Sequence, residues 1–248
     1  MRPGDPLVSH RKISQLKETQ PTFDAVGKPI PEFKAKPEPP KERYLDHREM
    51  DVLGVIACHH FLSHQEYAKN LANKIKHMSK TTFTRIAGKL KQLEVIDEVE
   101  INLHTQGGQI KILFPTKSGY ELLNKLKVAY VPIPGNGSME HRFWQHRIWT
   151  KLHKKGDLGG IEYSLPGTTK RVDVGIVRGT LSTAYEVVMG PNLEKEESNA
   201  LLDASAGWTE IIFAVESEDV MDRLRHRLSS QIASYNERIR IRLLREFA

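Results

Sequence analysis

The sequence predicts a mixed α+β protein in two folded parts, and three observations predict it. Between Asp46 and Lys127, apolar residues recur at helical spacing three times, followed by two short alternating runs and a fourth helical segment. A Pro- and Gly-bearing break, VPIPGNGS at 131–138, then interrupts two helical patterns. Beyond it the order is helix, three β-like runs, helix and a nearly continuous apolar strand, TEIIFAVES.

Bulk properties bound the reading. A chain of 248 residues with 39% hydrophobic and 27% charged residues can bury two ordinary cores. One cysteine, Cys58, excludes an internal disulfide framework and fits a reducing compartment. No apolar run approaches the roughly 18 residues of a membrane helix, and the opening MRPGDPLVSHRK has no signal-peptide core. A cytoplasmic, soluble protein without membrane association is expected. The formal charge of +6 favours polyanionic partners without identifying one.

Residues 1–46 hold eight of the thirteen prolines and read as an extended arm or linker, because proline lacks the amide donor and restricts its neighbour. The first helix is HREMDVLGVIACHHF. The second, SHQEYAKNLANKI, repeats Tyr67, Leu71 and Ile75 every four residues. In MSKTTFTRIAGKLKQLEVI, Ser79 is an N-cap and Phe83, Ile86, Ala87, Leu90 and Leu93 form the inward face. VEINLH and QIKILF flank TQGG, where Gly107 and Gly108 suit a hairpin turn, and PTKSGYELLNKLK closes the unit.

Three helices, a two-stranded wing and a closing helix resemble the winged-helix domains of prokaryotic DNA-binding proteins over about eighty residues, 47–130. The resemblance implies that the third helix enters the major groove through Lys80, Thr81, Thr82, Thr84, Arg85 and Lys89, and that Gln106 and Lys111 belong to a wing touching the backbone. Charge supports this separately: from Glu66 to Leu93 seven lysines and arginines stand against one acid. The alternative is a protein-contact winged helix whose lysines are a solvated face.

In the second part, MEHRFWQHRIWTKLHKKG places Phe143, Trp144, Ile148 and Leu152 inward. It precedes GIEYSLP, KRVDVGIV, STAYEVVM, the helix LEKEESNALLDASAGW and TEIIFAVES. Between Lys170 and Val188 two strands joined by a Gly-containing turn carry Asp173 and Glu186 within apolar runs. A buried-strand carboxylate is costly unless paired, hydrogen-bonded or holding a metal.

The order α-β-β-β-α-β and the pattern Asp173 then Glu186-Val187-Val188 resemble the restriction-endonuclease-like core, residues 138–218, with its PD-(D/E)XK signature. That family implies Mg²⁺ or Mn²⁺ on Asp173 and Glu186 with help from Glu140, and a lysine polarising the attacking water. Val188 stands where that lysine is expected, and Lys170 and Lys195 are the nearest substitutes. The joint pattern resembles the region beyond the motor in HerA/FtsK-like translocases, and plasmid replication-relaxation proteins. No phosphate-binding GxxxxGK[ST] loop occurs, so an ATP-driven motor is expected as a partner or a separate portion.

Other groups read more plainly. His141 and His146 are spaced by five, poorly for one helix face, and are hydrogen-bond donors or packing residues. Arg142 and Arg147 line either a nucleic-acid surface or a solvated face. His59, His60 and His64 lack the partners of a zinc site. Residues 219–248 repeat Val220, Leu224, Leu228, Ile232, Tyr235, Ile239 and Leu243 among arginines, which predicts a basic amphipathic helix suited to homo-oligomer formation. The sequence thus points to a double-stranded-DNA-binding protein of a mobile-element, replication or defence assembly. The alternatives are a Mg²⁺-dependent endonuclease and a transcription regulator.

Overall fold

Asp46 opens the first helix with a reciprocal cap: its carboxylate accepts the Glu49 amide at 2.8 Å, and Glu49 accepts the Asp46 amide at 3.0 Å. A computed structural model describes residues 45–72, 78–105, 108–190, 192–231 and 237–248. The expected arm lies outside the described residues up to position 44, as do Gln106 and Gly107 at the expected wing tip. The protein is mixed α+β, and its described residues form seven α-helices and two sheets. Among the described residues, no helix is long and apolar enough to cross a membrane.

Helices α1 (His47–Cys58), α2 (His64–Ala72) and α3 (Lys80–Gln92) enclose a core of Val52, Leu53, Ile56, Tyr67, Leu71, Phe83, Ile86 and Leu90. Ser79 caps α3 by accepting the Thr82 amide at 3.1 Å, and Phe83, Ile86, Ala87 and Leu90 are buried as their spacing predicts. Strands β1 (Ile96–Asn102) and β2 (Gln109–Pro115) form an antiparallel hairpin, and Thr116 caps α4 (Lys117–Lys125). Gly119 lets the first turn of α4 approach closely, since a Cβ there would lie 2.0 Å from the Val95 carbonyl oxygen.

The second part is one five-stranded sheet. Its strands are β3 (Leu158–Tyr163), β4 (Val172–Arg178), β5 (Leu181–Val188), β6 (Glu210–Val215) and β7 (Ile239–Leu243), in that spatial order. The first three run antiparallel, and β5–β6 and β6–β7 are parallel. Helix α5 (Met139–Leu152) and a closing 3₁₀ turn (Leu244–Phe247) pack on one face; α6 (Leu193–Ser205) and α7 (Glu218–Gln231) cover the other. The apolar break at 131–138 does not separate independent cores. Phe61, Ile101 and Ile112 from the first part share a cluster with Phe143, Trp144 and the sheet.

One expectation is corrected outright. Residues 219–248 are not a continuous helix: α7 ends at Gln231, Ile232 and Tyr235 lie outside the described residues, and Ile239–Leu243 is a strand. An apolar residue at every fourth position satisfies a period of two as well as a helical period. The run IRIRL, with β-branched residues alternating with arginine, joins the parallel ladder beside β6. Ile239, Ile241 and Leu243 therefore serve the α6–α7 core, and Leu244 and Phe247 are buried on the α5 face. The restriction of the second domain to 138–218 also fails, because its sheet continues to residue 243.

Candidate functional site

Strand register brings three acids side by side. Ile161 pairs with Val174 and Tyr163 with Val172, while Val174 pairs with Tyr185. One step along both registers sets Glu162, Asp173 and Glu186 on three neighbouring strands. At this level side-chain bonds replace the ladder: the Val187 amide donates to Asp173 Oδ2 at 2.7 Å. Gln145 Nε2, from α5, donates to Glu162 Oε1 at 2.8 Å and Asp173 Oδ1 at 2.9 Å. His141 Nε2 lies 3.1 Å from Asp173 Oδ1. Gly135 (φ +85°) keeps the preceding loop close, as a Cβ would lie 2.0 Å from Gln145 Oε1.

Glu186 points into different surroundings. It is 5% exposed, and its Oε1 has no hydrogen-bond partner among the described residues. Lys170 Nζ stands 3.7 Å from that oxygen and 3.5 Å from Asp203 Oδ1, and donates to Asn199 Oδ1 at 3.1 Å. Asp203, on α6, is fully buried, and its carboxylate meets Glu186 and the Lys170 amine. Together with Glu196, Lys195 and His141, the Glu162–Asp173–Glu186 row lines a cleft of about 350 Å³.

The carboxylates titrate in opposite directions. Burial pushes Asp173 upward, but the His141 hydrogen bond and charge, with the Val187 amide and Gln145, hold it below the ordinary carboxylate value. Burial drives Glu186 well above its ordinary value, and the charges of Asp173 and Asp203 add to the rise. Burial likewise raises Asp203 and Glu196. Two lysines, Lys195 on the lining and Lys170 beside it, stand against four lining acids and the buried Asp203, so carboxylates outnumber amines.

That donor set suits a hard divalent cation, which commonly takes one or two carboxylates and completes its shell with water and phosphate. Among the described residues no three His, Cys, Asp or Glu side chains converge as the full ligand set of one ion. Of the acids lining the cleft, Asp173 and Glu186 stand opposite each other on adjacent strands, and Glu162 and Glu196 lie on the same lining.

The expected residues distribute unevenly. Asp173, Glu186, Lys170 and Lys195 come together at or beside the cleft. Glu140 does not: its neighbours are His104, Glu216 and the Asn102 backbone, and burial raises its carboxyl there. One residue further round α5, His141 takes the place at Asp173. Val188 is 2% exposed and packs with Ala184, Trp208 and Phe213 on the α6–α7 face, which explains why a charged side chain is unsuited to that position. Glu162, Gln145 and Asp203 were not singled out by sequence: they lie within GIEYSLP, MEHRFWQHRIWTKLHKKG and LEKEESNALLDASAGW, and no spacing there marks them.

On α3, Lys80, Thr81, Thr84 and Arg85 are exposed, and neither Lys80 nor Arg85 has an ion pair or hydrogen bond among the described residues. Thr82 is instead half-buried, with its hydroxyl 3.0 Å from Ser79 Oγ. Lys89 is paired with buried Glu49 of α1. Lys111 lies 3.7 Å from Glu98 and 3.8 Å from Glu100, so the hairpin face near it is acidic as well as basic. No protein-family model matches the chain, and no curated protein matches it.

Proposed function

We propose that this chain binds double-stranded DNA, with α1–α4 and the β1–β2 hairpin acting as a winged helix and the five-stranded part as a restriction-endonuclease-like domain. The observation that carries the reading is the α3 face. Lys80, Thr81, Thr84 and Arg85 are exposed together, with both cations unclaimed among the described residues. Cations so placed neutralise phosphates, and each lost contact lowers the salt slope by about 0.9. Measuring duplex affinity against salt for the protein and for Lys80→Ala/Arg85→Ala tests this. Weaker binding with a slope reduced by about 2 is expected; an unchanged affinity and slope would sink it.

A second reading, a metal-dependent endonuclease, is favoured by Lys170. Its amine stands 3.7 Å from Glu186, supplying beside the acid pair what position 188 does not. Asp173 and Glu186 would hold Mg²⁺ or Mn²⁺, which supplies Lewis acidity and an activated water. His141 and Gln145 orient Asp173, Asn199 and Asp203 hold Lys170, and Lys195 is a further cation on the cleft lining. Nicking of supercoiled DNA with Mn²⁺ that is lost in Asp173→Ala and in Lys170→Ala supports it. Tight DNA retention without cleavage would leave a binding scaffold, the setting in which a translocase partner or a mobile-element assembly belongs.

A further inference from the structure

We infer that a second cleft, between the β2–α4 junction and the first turn of α5, binds one unstacked nucleotide of a DNA strand. The cleft measures about 480 Å³, within the usual range for small-molecule sites. Its apolar lining includes Phe114, Tyr120, Tyr130 and Met139; its charged groups are Lys117 and Arg142, and among the described residues no carboxylate lines it.

This combination matches a planar base attached to an anion. The rings of Tyr120 and Tyr130 lie 5.0 Å apart at 50°, offering an angled aromatic wall against which a base can stack. Both are half-buried, and Tyr130 Oη accepts a hydrogen bond from Asn124 Nδ2 at 3.3 Å, which fixes the ring. Arg142 has no ion pair among the described residues, and its Nε is buried without a hydrogen-bond partner. Lys117 is 93% exposed and has only a 4.0 Å contact with Glu121. A guanidinium with no ion pair among the described residues, and an ammonium held only by that one exposed 4.0 Å contact, favour a phosphate.

The cleft's place in the fold strengthens the assignment. His141 faces the carboxylate cleft and the next residue, Arg142, lines the aromatic one, so a single turn of α5 serves both. A strand seated on the tyrosines would pass beside the carboxylate row. Bases stacked within a duplex do not present a free face to a tyrosine, so the occupant is an unpaired nucleotide. The site uses no residue of α3, and it stands or falls separately from duplex binding.

The experiment is fluorescence anisotropy of a labelled dT12 strand with the full chain, beside a labelled duplex. Tyr120→Ala and Arg142→Gln are each expected to weaken dT12 binding about tenfold, the scale of one lost base stack, while Tyr120→Phe stays near wild type. Lys80→Ala/Arg85→Ala should weaken the duplex and leave dT12 unchanged. Tyr130→Leu, which keeps apolar bulk, guards against loss of fold and should also weaken dT12; circular dichroism checks every variant. No binding of dT12, or equal binding by the Tyr120→Ala and Tyr130→Leu variants, overturns the site. Displacement of dT12 by thymidine 5′-monophosphate at a comparable concentration would overturn the strand as occupant in favour of a free nucleotide; no displacement is expected.

Discussion

Lys170 reaches Glu186 from outside the strand that carries it, with Nζ 3.7 Å from Glu186 Oε1 and 3.5 Å from Asp203 Oδ1. A single amine from the segment before β4 thus faces two buried acids on β5 and α6. The cation is structural before it is anything else, because neither carboxylate has another charged partner of opposite sign within reach among the described residues.

Replacing Lys170 by Met keeps the bulk and removes the charge. The two carboxylates would then be buried without a cation, and a loss of about 3 kcal/mol at pH 8 is expected. The loss should shrink at pH 5, where the acids, both raised by burial, take up protons. Urea unfolding at the two pH values measures it; an equal loss at both would show that the amine does not neutralise them.

Glu186→Gln should stabilise the fold at pH 8, on the order of 1 kcal/mol. A carboxyl raised in the folded state contributes full stability below its unfolded value and loses it as pH rises through the folded one. Glutamine mimics the protonated form, so its advantage should vanish toward pH 4. Thermal melts across that range decide the matter, and destabilisation at pH 8 would refute it.

Asp173→Asn carries the opposite pH signature. The folded carboxyl is depressed, because the His141, Val187 and Gln145 bonds outweigh the burial that raises it. Its stabilisation is present above the unfolded value and is lost as pH falls through the folded one. A cost of roughly 2 kcal/mol is expected at pH 7 from the broken charged hydrogen bonds. It should fade in acid, and a pH-independent cost in denaturant titrations would contradict the assignment.

Lys89→Ala separates fold from DNA contact on α3. Lys89 pairs with Glu49, whose side chain is 4% exposed, while Lys89 itself is largely open to solvent. A loss of about 1 kcal/mol in stability is expected after allowing for screening, with duplex affinity within about twofold of wild type. A drop in affinity comparable to that of Arg85→Ala, without loss of stability, would place Lys89 on the DNA instead.

Gly175→Ala should cost about 2 kcal/mol, as overpacking does in a closed core. A Cβ at this position would lie 2.6 Å from Trp208 Cη2 and 2.7 Å from Tyr163 Cδ1. The position is two residues from Asp173 on β4, so an unchanged melting temperature would mean that the aromatic pair yields easily there.

Much of the local structure was legible in the sequence because short-range chemistry determines it. Ser79 caps α3, the apolar spacing of Phe83, Ile86 and Leu90 sets its buried face, and apolar runs mark β4, β5 and β6. Even the opposition of Asp173 and Glu186 follows from a tight hairpin, since Arg178 pairs with Leu181 and the register runs back from that turn. The tertiary structure decided what distant segments do to these residues. It gave His141 rather than Glu140 to Asp173, because adjacent helix positions face different ways, and it tied Lys89 and Lys111 to acids. It also turned the terminal apolar stripe into β7, since a four-residue repeat satisfies both periods and only the open edge of β6 selects between them. Sequence spacing sets which way a side chain faces along its own element; which partner waits there is set by long-range pairing and packing.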